Sequence, residues 1–314
     1  MRFPVSRRTI LLSGLVAASL GPLSACGLRM DTEPEIPDLD PSDELRNRIA
    51  RILEATAASA GDPETATADL EKFRAAIGPV WSPPTQLATQ SPSAEPPRSY
   101  LEAAEVVSTT VFDDVTDLDS GLITVLVDVA TGFALTAGAI RPGIAEAAQN
   151  LLRTSVSQKP TERAAAPDAD VCAGILEQAR AAAYGYERLA VEFGSDTPER
   201  KASLTRLETL GSLGGEMLEK LAAADTEPPP DSPSWKLDPV PADAGSAREL
   251  ALALEDRVAG AILPWLRTDP LAALRLWESA RTRSVFGAAQ ALRFTYSDSA
   301  ASAAAPTPSA SAQK

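Results

Sequence analysis

The stretch Ala169-Asp-Val-Cys-Ala-Gly-Ile-Leu-Glu-Gln-Ala-Arg-Ala-Ala-Ala-Tyr-Gly-Tyr-Glu-Arg-Leu-Ala-Val-Glu-Phe193 decides the fold. Cys172, Ile175, Ala179, Ala182, Tyr186, Leu189 and Phe193 recur at steps of three and four, the spacing of one helix face. A long helix with one apolar face needs partners, and the following sequence supplies them. Thr197 and Pro198 read as the N-cap and first residue of a helix running to about Ala224. Its expected seam is Leu204, Leu207, Gly211, Gly214, Leu218 and Leu221, with the glycines permitting close backbone approach. The segment Asp225 to Asp243, carrying Pro228-Pro229-Pro230, is long enough to cross the end of a bundle. A third helix, about 246–266, lines up Ala251, Leu254, Val258, Ala261 and Trp265, and a fourth follows Asp269-Pro270 to about Tyr296. Four long helices with one long central connection make an all-α four-helix bundle with a crossover.

Upstream, residues 42–158 read as a second helical unit. Ser42-Asp43-Glu44 caps a helix to about Ala58, and others are expected over about 63–77, 99–115 and 143–156. The stretch Gly121 to Ile140 is the most apolar after the leader and carries one charge, Asp128. On a helix Asp128 shares a narrow polar stripe with Thr124 and Thr131, opposite Leu122, Leu126, Val129 and Phe133. That pattern favours a helix buried inside a bundle over a membrane span.

The first residues read as an address. Met1 to Ile10 is cationic, Ile10 to Leu20 is apolar, and Leu23-Ser24-Ala25-Cys26 matches a lipoprotein box. Residues 1–25 are then a signal peptide, and Cys26 takes a lipid and becomes the new N-terminus. An uncleaved anchor helix fits less well, because the apolar run is short and Gly21-Pro22 interrupts it. Arg7 and Arg8, within Ser6-Arg-Arg-Thr-Ile-Leu11, resemble a twin-arginine export motif, with the general secretory route as the alternative. Residues 26–41 are acidic and Pro-rich and read as a tether; residues 299–314 are Ala/Ser/Pro-rich and read as a disordered tail. The expected location is the outer face of a bacterial cytoplasmic membrane, held through lipid on Cys26.

Composition excludes whole classes of chemistry. The chain has 29 basic and 43 acidic residues, a net charge of −14. Cleavage before Cys26 leaves 26 basic residues against 43 acidic ones, a net −17, which disfavours nucleic acid and anionic lipid surfaces. With no histidine, His-based acid–base catalysis, Ser-His-Asp nucleophiles and His-ligated metals are out. Of two cysteines, Cys172 is the only one left in the mature chain beside lipidated Cys26, and its apolar neighbours suit a buried thiol.

Leu176-Glu-Gln-Ala-Arg-Ala-Ala-Ala-Tyr184-Gly-Tyr186, Ala251-Leu-Ala-Leu-Glu255-Asp256-Arg257 and the Ala/Arg/Trp-rich last helix resemble a ferritin-like domain family of unknown function found in actinobacterial lipoproteins. The similarity covers about 168–298. It implies a ferritin-like bundle and an envelope location, and it brings no activity or site residue.

Ferritin-like bundles hold metal with a Glu from each helix and two Glu-x-x-His pairs. Glu177, Glu208, Glu255 and Glu278 supply one carboxylate per helix, but Gly211 and Arg281 stand where imidazoles are needed. Helical register places Glu177 outside and Glu208 and Glu255 at seam edges, so no metal and no cofactor is expected. Glu278 and Arg281 fall on the apolar face of the last helix and form a candidate buried polar pair, expected to fix bundle register or to wall a pocket. Tyr184 is expected on the outer face near Glu177 and Arg180, and Trp235, Trp265 and Trp277 are expected to cap the bundle. No catalytic residue is assigned. The expected function is a non-enzymatic envelope interaction or structural module with a protein partner. The alternatives are a small-molecule or lipid-binding bundle near Glu278 and Arg281 and, more remotely, a ferritin-like redox protein.

Overall fold

Short polar side chains placed just ahead of apolar periodic runs start several of the helices. The computed structural model describes residues 39–59, 61–82, 94–158, 167–287 and 296, which contain nine α-helices and no strand. The residues expected to form a signal peptide (1–25, with Arg7 and Arg8), Cys26, nearly all of the expected tether and the tail 299–314 lie outside the described residues.

The first helix, α1, spans Pro41–Glu54 and is capped two residues earlier than Ser42-Asp43-Glu44 suggests. Asp40 is the cap, its side chain accepting from the Ser42 and Asp43 amides, with Pro41 at the first helical position. Next, α2 (Ala66–Ile77) ends at Gly78, and α3 (Tyr100–Asp113) opens with a reciprocal capping box between Ser99 and Glu102. The apolar stretch forms α4 (Ile123–Gly138), buried on nearly every side, and α5 (Pro142–Gln158) folds back on α3 and α4. Among the described residues no helix is long and apolar enough to cross a membrane. Leu126, Val129 and Phe133 of α4 are in the core as their spacing predicts. Phe133 stacks on Phe73 (4.8 Å) and meets the edge of Tyr100 (4.9 Å), joining α2, α3 and α4.

The second half contains α6 (Ala169–Leu189, followed by a 3₁₀ turn at Ala190–Glu192), α7 (Pro198–Ala223), α8 (Ala244–Leu266) and α9 (Leu271–Phe286). The remainder of the helix expected to reach Tyr296 lies, apart from Gly287 and Tyr296, outside the described residues. Thr197 caps α7 through the Arg200 amide, as the Thr-Pro signal predicts. Asp243 and Ser246 form a capping box on α8.

In the bundle α6 packs on α7 and α8, and α9 packs on α8 and α7. Glu199 pairs with Arg248, and Arg206 with Glu255, each across 49 positions, so α7 and α8 run in the same direction. The connection 224–243 therefore has to travel the length of the bundle. It does so along α6, held by Arg180 to the Pro229 carbonyl at 2.8 Å.

The two halves share one hydrophobic core, because α9 also packs against α4 and α5. Phe112 of α3 meets Trp277 of α9 edge to face at 5.6 Å. Trp265 and Trp277 are fully buried inside this core and do not cap it.

The seam of α7 is a correction. Its buried residues are Ser203, Arg206, Leu210, Leu213, Met217 and Leu221, one position back from the expected set through most of the helix. One residue is about 100° of helical rotation. Leu204 is consequently 49% exposed, and Leu218 also reaches solvent. A Cβ at Gly211 would touch nothing, so this glycine permits no close approach. The tight crossing lies at Gly185 on α6, where a Cβ would sit 2.5 Å from Leu254 Cδ1 of α8.

Candidate functional site

Rotation of α7 brings a charge to the centre of the bundle. Arg206 is 2% exposed and Glu255, on α8, is 0% exposed. Arg206 Nε donates to Glu255 Oε1 (2.9 Å) and Nη2 to Oε2 (2.8 Å), a two-pronged ion pair. Tyr186 of α6 donates its hydroxyl to Oε1 at 2.7 Å, and Ser279 of α9 donates to Oε2 at 2.6 Å. Arg206 Nη1 continues to Thr209 Oγ1 at 3.2 Å. Each of the four helices thus sends one polar side chain to the same point, and each carboxylate oxygen accepts two hydrogen bonds. Such satisfaction is what a charge buried in low dielectric requires.

Burial, followed by the adjacent Glu255 charge, pushes the Tyr186 phenol well above its ordinary range. The tyrosine is therefore held as a neutral donor. The arrangement is closed: its charges do not reach solvent, and Glu255 has its oxygens committed to donors. A metal would have to displace the guanidinium that already supplies the positive charge, so these residues do not fit a metal centre. Among the described residues no three His, Cys, Asp or Glu side chains gather to hold an ion. Glu177 and Glu208 are exposed, on faces away from Glu255.

Glu278 and Arg281 do not pair. Glu278 binds Arg275 Nη1 at 3.1 Å, and Arg275 also reaches Glu216 of α7 at 3.0 Å. Arg281 is exposed and donates to the Gln149 side-chain oxygen on α5. The buried face of α9 runs through Ala273, Trp277 and Ala280, not through Arg281 and Val285, so Arg281 points outward. Arg281 does line a cleft of about 480 Å³ between α9 and the α4–α5 turn, with Leu135, Pro142, Glu146 and Val285. Glu278 does not line it.

A second cleft, of about 430 Å³, opens between the C-terminal end of α6 and the crossover. Tyr184, Val191, Trp235, Leu237 and Val240 form its walls, with Arg188 and Glu192 at its edge. Val191 is 67% exposed and Val240 70%, so two large aliphatic side chains stand in water beside two aromatic ones. Arg188 lies over the Tyr184 ring at 4.8 Å, so it, and not Arg180, is the partner of this tyrosine. Arg180 is instead committed to the crossover, through the Pro229 carbonyl and Asp231. Cys172 is buried, its thiol pushed upward by desolvation.

Comparison with protein-family models, curated protein sequences and solved structures finds no match to this chain. Arg206 escaped the sequence reading because a single arginine among Leu204, Leu207 and Leu210 looks like a solvated side chain. The signal was present in Leu213 and Met217, which fit only the seam that includes Arg206.

Proposed function

We propose that this chain is an extracytoplasmic lipoprotein, exported by an Arg7-Arg8 signal and anchored through Cys26, whose bundle serves as a non-enzymatic interaction module of the cell envelope. The bundle is read as a ferritin-like fold in which an Arg–Glu pair stands in place of a metal centre. Two helices running the same way, joined by a long connection along the bundle, support that reading. The observation that carries the interaction role is the cleft beside α6, where Val191 and Val240 are exposed next to Tyr184 and Trp235. Apolar and aromatic side chains grouped at a surface mark binding sites, and aromatic residues dominate interface energetics. The partner would be another envelope protein placing an aliphatic or Pro-rich segment in this cleft.

The test is cross-linking and capture of the lipidated chain from its own envelope, with Cys26→Ala and Val240→Asp as comparisons. A stoichiometric protein partner lost in Val240→Asp supports the module. Capture that is unchanged by Val240→Asp removes the cleft from the proposal. A small-molecule reading is favoured by one feature, the cleft volume of about 430 Å³, which lies in the range of ligand pockets. Native mass spectrometry that finds a retained small molecule, absent from Trp235→Ala, would favour that reading.

A further inference from the structure

The crossover lies against α6 at one point and stands off from it at another. At Arg180 the two meet: Nη1 donates to the Pro229 carbonyl at 2.8 Å, and Nε lies 3.8 Å from Asp231 Oδ1. The segment held there is Pro228-Pro229-Pro230, whose residues offer carbonyls and no N–H. Proline runs favour the polyproline II helix, which makes no internal hydrogen bond and leaves every carbonyl free. One arginine of α6 thus already takes a carbonyl from a proline run of its own chain.

Tyr184 and Arg188 follow Arg180 at steps of four, so they continue the same side of α6 with a slow drift. Here the cleft of about 430 Å³ separates helix and crossover, with Trp235, Leu237 and Val240 on its far side. Arg188 is exposed and lies over the Tyr184 ring. Among the described residues no oxygen accepts from the Arg188 guanidinium or from the Trp235 indole N–H. Arg188 therefore repeats Arg180 without a carbonyl to match. An ordinary extended segment would bring N–H groups into the cleft as well as carbonyls, and Glu192 is the one carboxylate that lines it. A proline run brings carbonyls alone, packs its rings on aromatic walls, and loses little entropy because it is extended beforehand.

The geometry points to an extended Pro-rich segment of a partner protein as the occupant of this cleft. Its rings lie against Trp235 and Tyr184, one carbonyl accepts from Arg188 as Pro229 does from Arg180, and a basic residue beside the prolines faces Glu192. The chain's net charge of −14 acts in the same sense, drawing a basic segment toward it. This inference rests on the cleft being the binding face, and it narrows the occupant from aliphatic or Pro-rich to Pro-rich.

The test is titration of the ¹⁵N-labelled full chain with a synthetic peptide of six prolines preceded by one lysine. The readout is the indole N–H signals, with that of Trp235 assigned by its loss in Trp235→Phe. The Trp235 signal should move saturably, while those of Trp265 and Trp277, fully buried in the core, stay in place. Arg188 is exposed, so Arg188→Ala keeps the fold, and it should bind the peptide at least about tenfold more weakly. Glutamate in place of the peptide's lysine should weaken binding about threefold or more. No movement of the Trp235 signal at millimolar peptide, unchanged affinity in Arg188→Ala, or equal binding of the lysine and glutamate peptides would each overturn the proposal. So would equal binding of a peptide with alternating alanine and valine in place of the prolines. That last result leaves the cleft standing as a binding face, whereas partner capture unchanged by Val240→Asp removes the cleft itself.

Discussion

Arg206 and Glu255 meet with their Nη2 and Oε2 atoms 2.8 Å apart, on two parallel helices that lie across the bundle from one another. Neither side chain can be removed without leaving the other charged and sealed from water. Arg206→Met or Glu255→Leu alone should therefore cost about 3–5 kcal/mol, whereas the pair replaced together should recover most of that loss. Urea unfolding of the four chains forms a double-mutant cycle. Single variants within about 0.5 kcal/mol of the parent would show that water reaches the pair.

Arg281 and Arg275 differ in the same way by geometry. Arg281 is exposed, and Arg281→Met should change stability by no more than about 0.5 kcal/mol. Arg275 lies between Glu216 and Glu278, which are only about one-fifth exposed, so Arg275→Met leaves two carboxylates facing each other. A cost of about 1–3 kcal/mol is expected, read from denaturant midpoints at constant slope. The reverse ranking would restore Arg281 as the paired residue.

Two glycines on adjacent helices should respond to alanine with opposite signs. At Gly185 a Cβ would crowd three atoms of Leu254 inside the core, so Gly185→Ala should destabilise by about 1–3 kcal/mol. At Gly211 a Cβ meets nothing and the residue is exposed on α7, so Gly211→Ala should stabilise by about 0.5–1 kcal/mol through helix propensity. Thermal midpoints suffice to read both. Stabilisation at Gly185 would mean that α6 and α8 cross further apart than described.

These contrasts mark what could be read along the chain and what could not. Helix starts were legible where the signal is local, as at Thr197-Pro198 and at Ser99 with Glu102. The core face of α6 is legible because its six expected seam positions, from Cys172 to Leu189, agree on one face, with Phe193 buried just past the 3₁₀ turn. The face of α7 is harder to read, because two leucine-bearing stripes compete on it: Leu213 and Met217 favour the buried one, but the arginine it carries is matched only by a carboxylate 49 residues away. Helical register alone puts Glu255 at a seam edge, whereas it is fully buried, because its partners, Tyr186, Arg206 and Ser279, come from three other helices and none of them neighbours it in sequence.

The central network also sets a limit at alkaline pH. Burial raises the Tyr186 phenol above its unfolded value near 10, so the folded chain keeps a proton there that the unfolded chain gives up. The stability this contributes is complete below about pH 10 and falls as pH rises toward the folded value, by up to about 1.4 kcal/mol per pH unit. Tyr186→Phe removes the titrating group together with one donor to Glu255. Below pH 10 the variant should be less stable than the parent by a constant amount, since the lost hydrogen bond does not titrate there. Above pH 10 the gap should narrow, because only the parent carries the Tyr186 penalty. Tyr100, also raised by burial, slopes in the same direction in both chains and cancels in the difference. Unfolding free energies measured from pH 8 to 11.5 check this directly. A gap that stays constant through pH 11.5 would mean that Tyr186 ionises as easily in the folded bundle as in water, which a phenol sealed beside Glu255 cannot do.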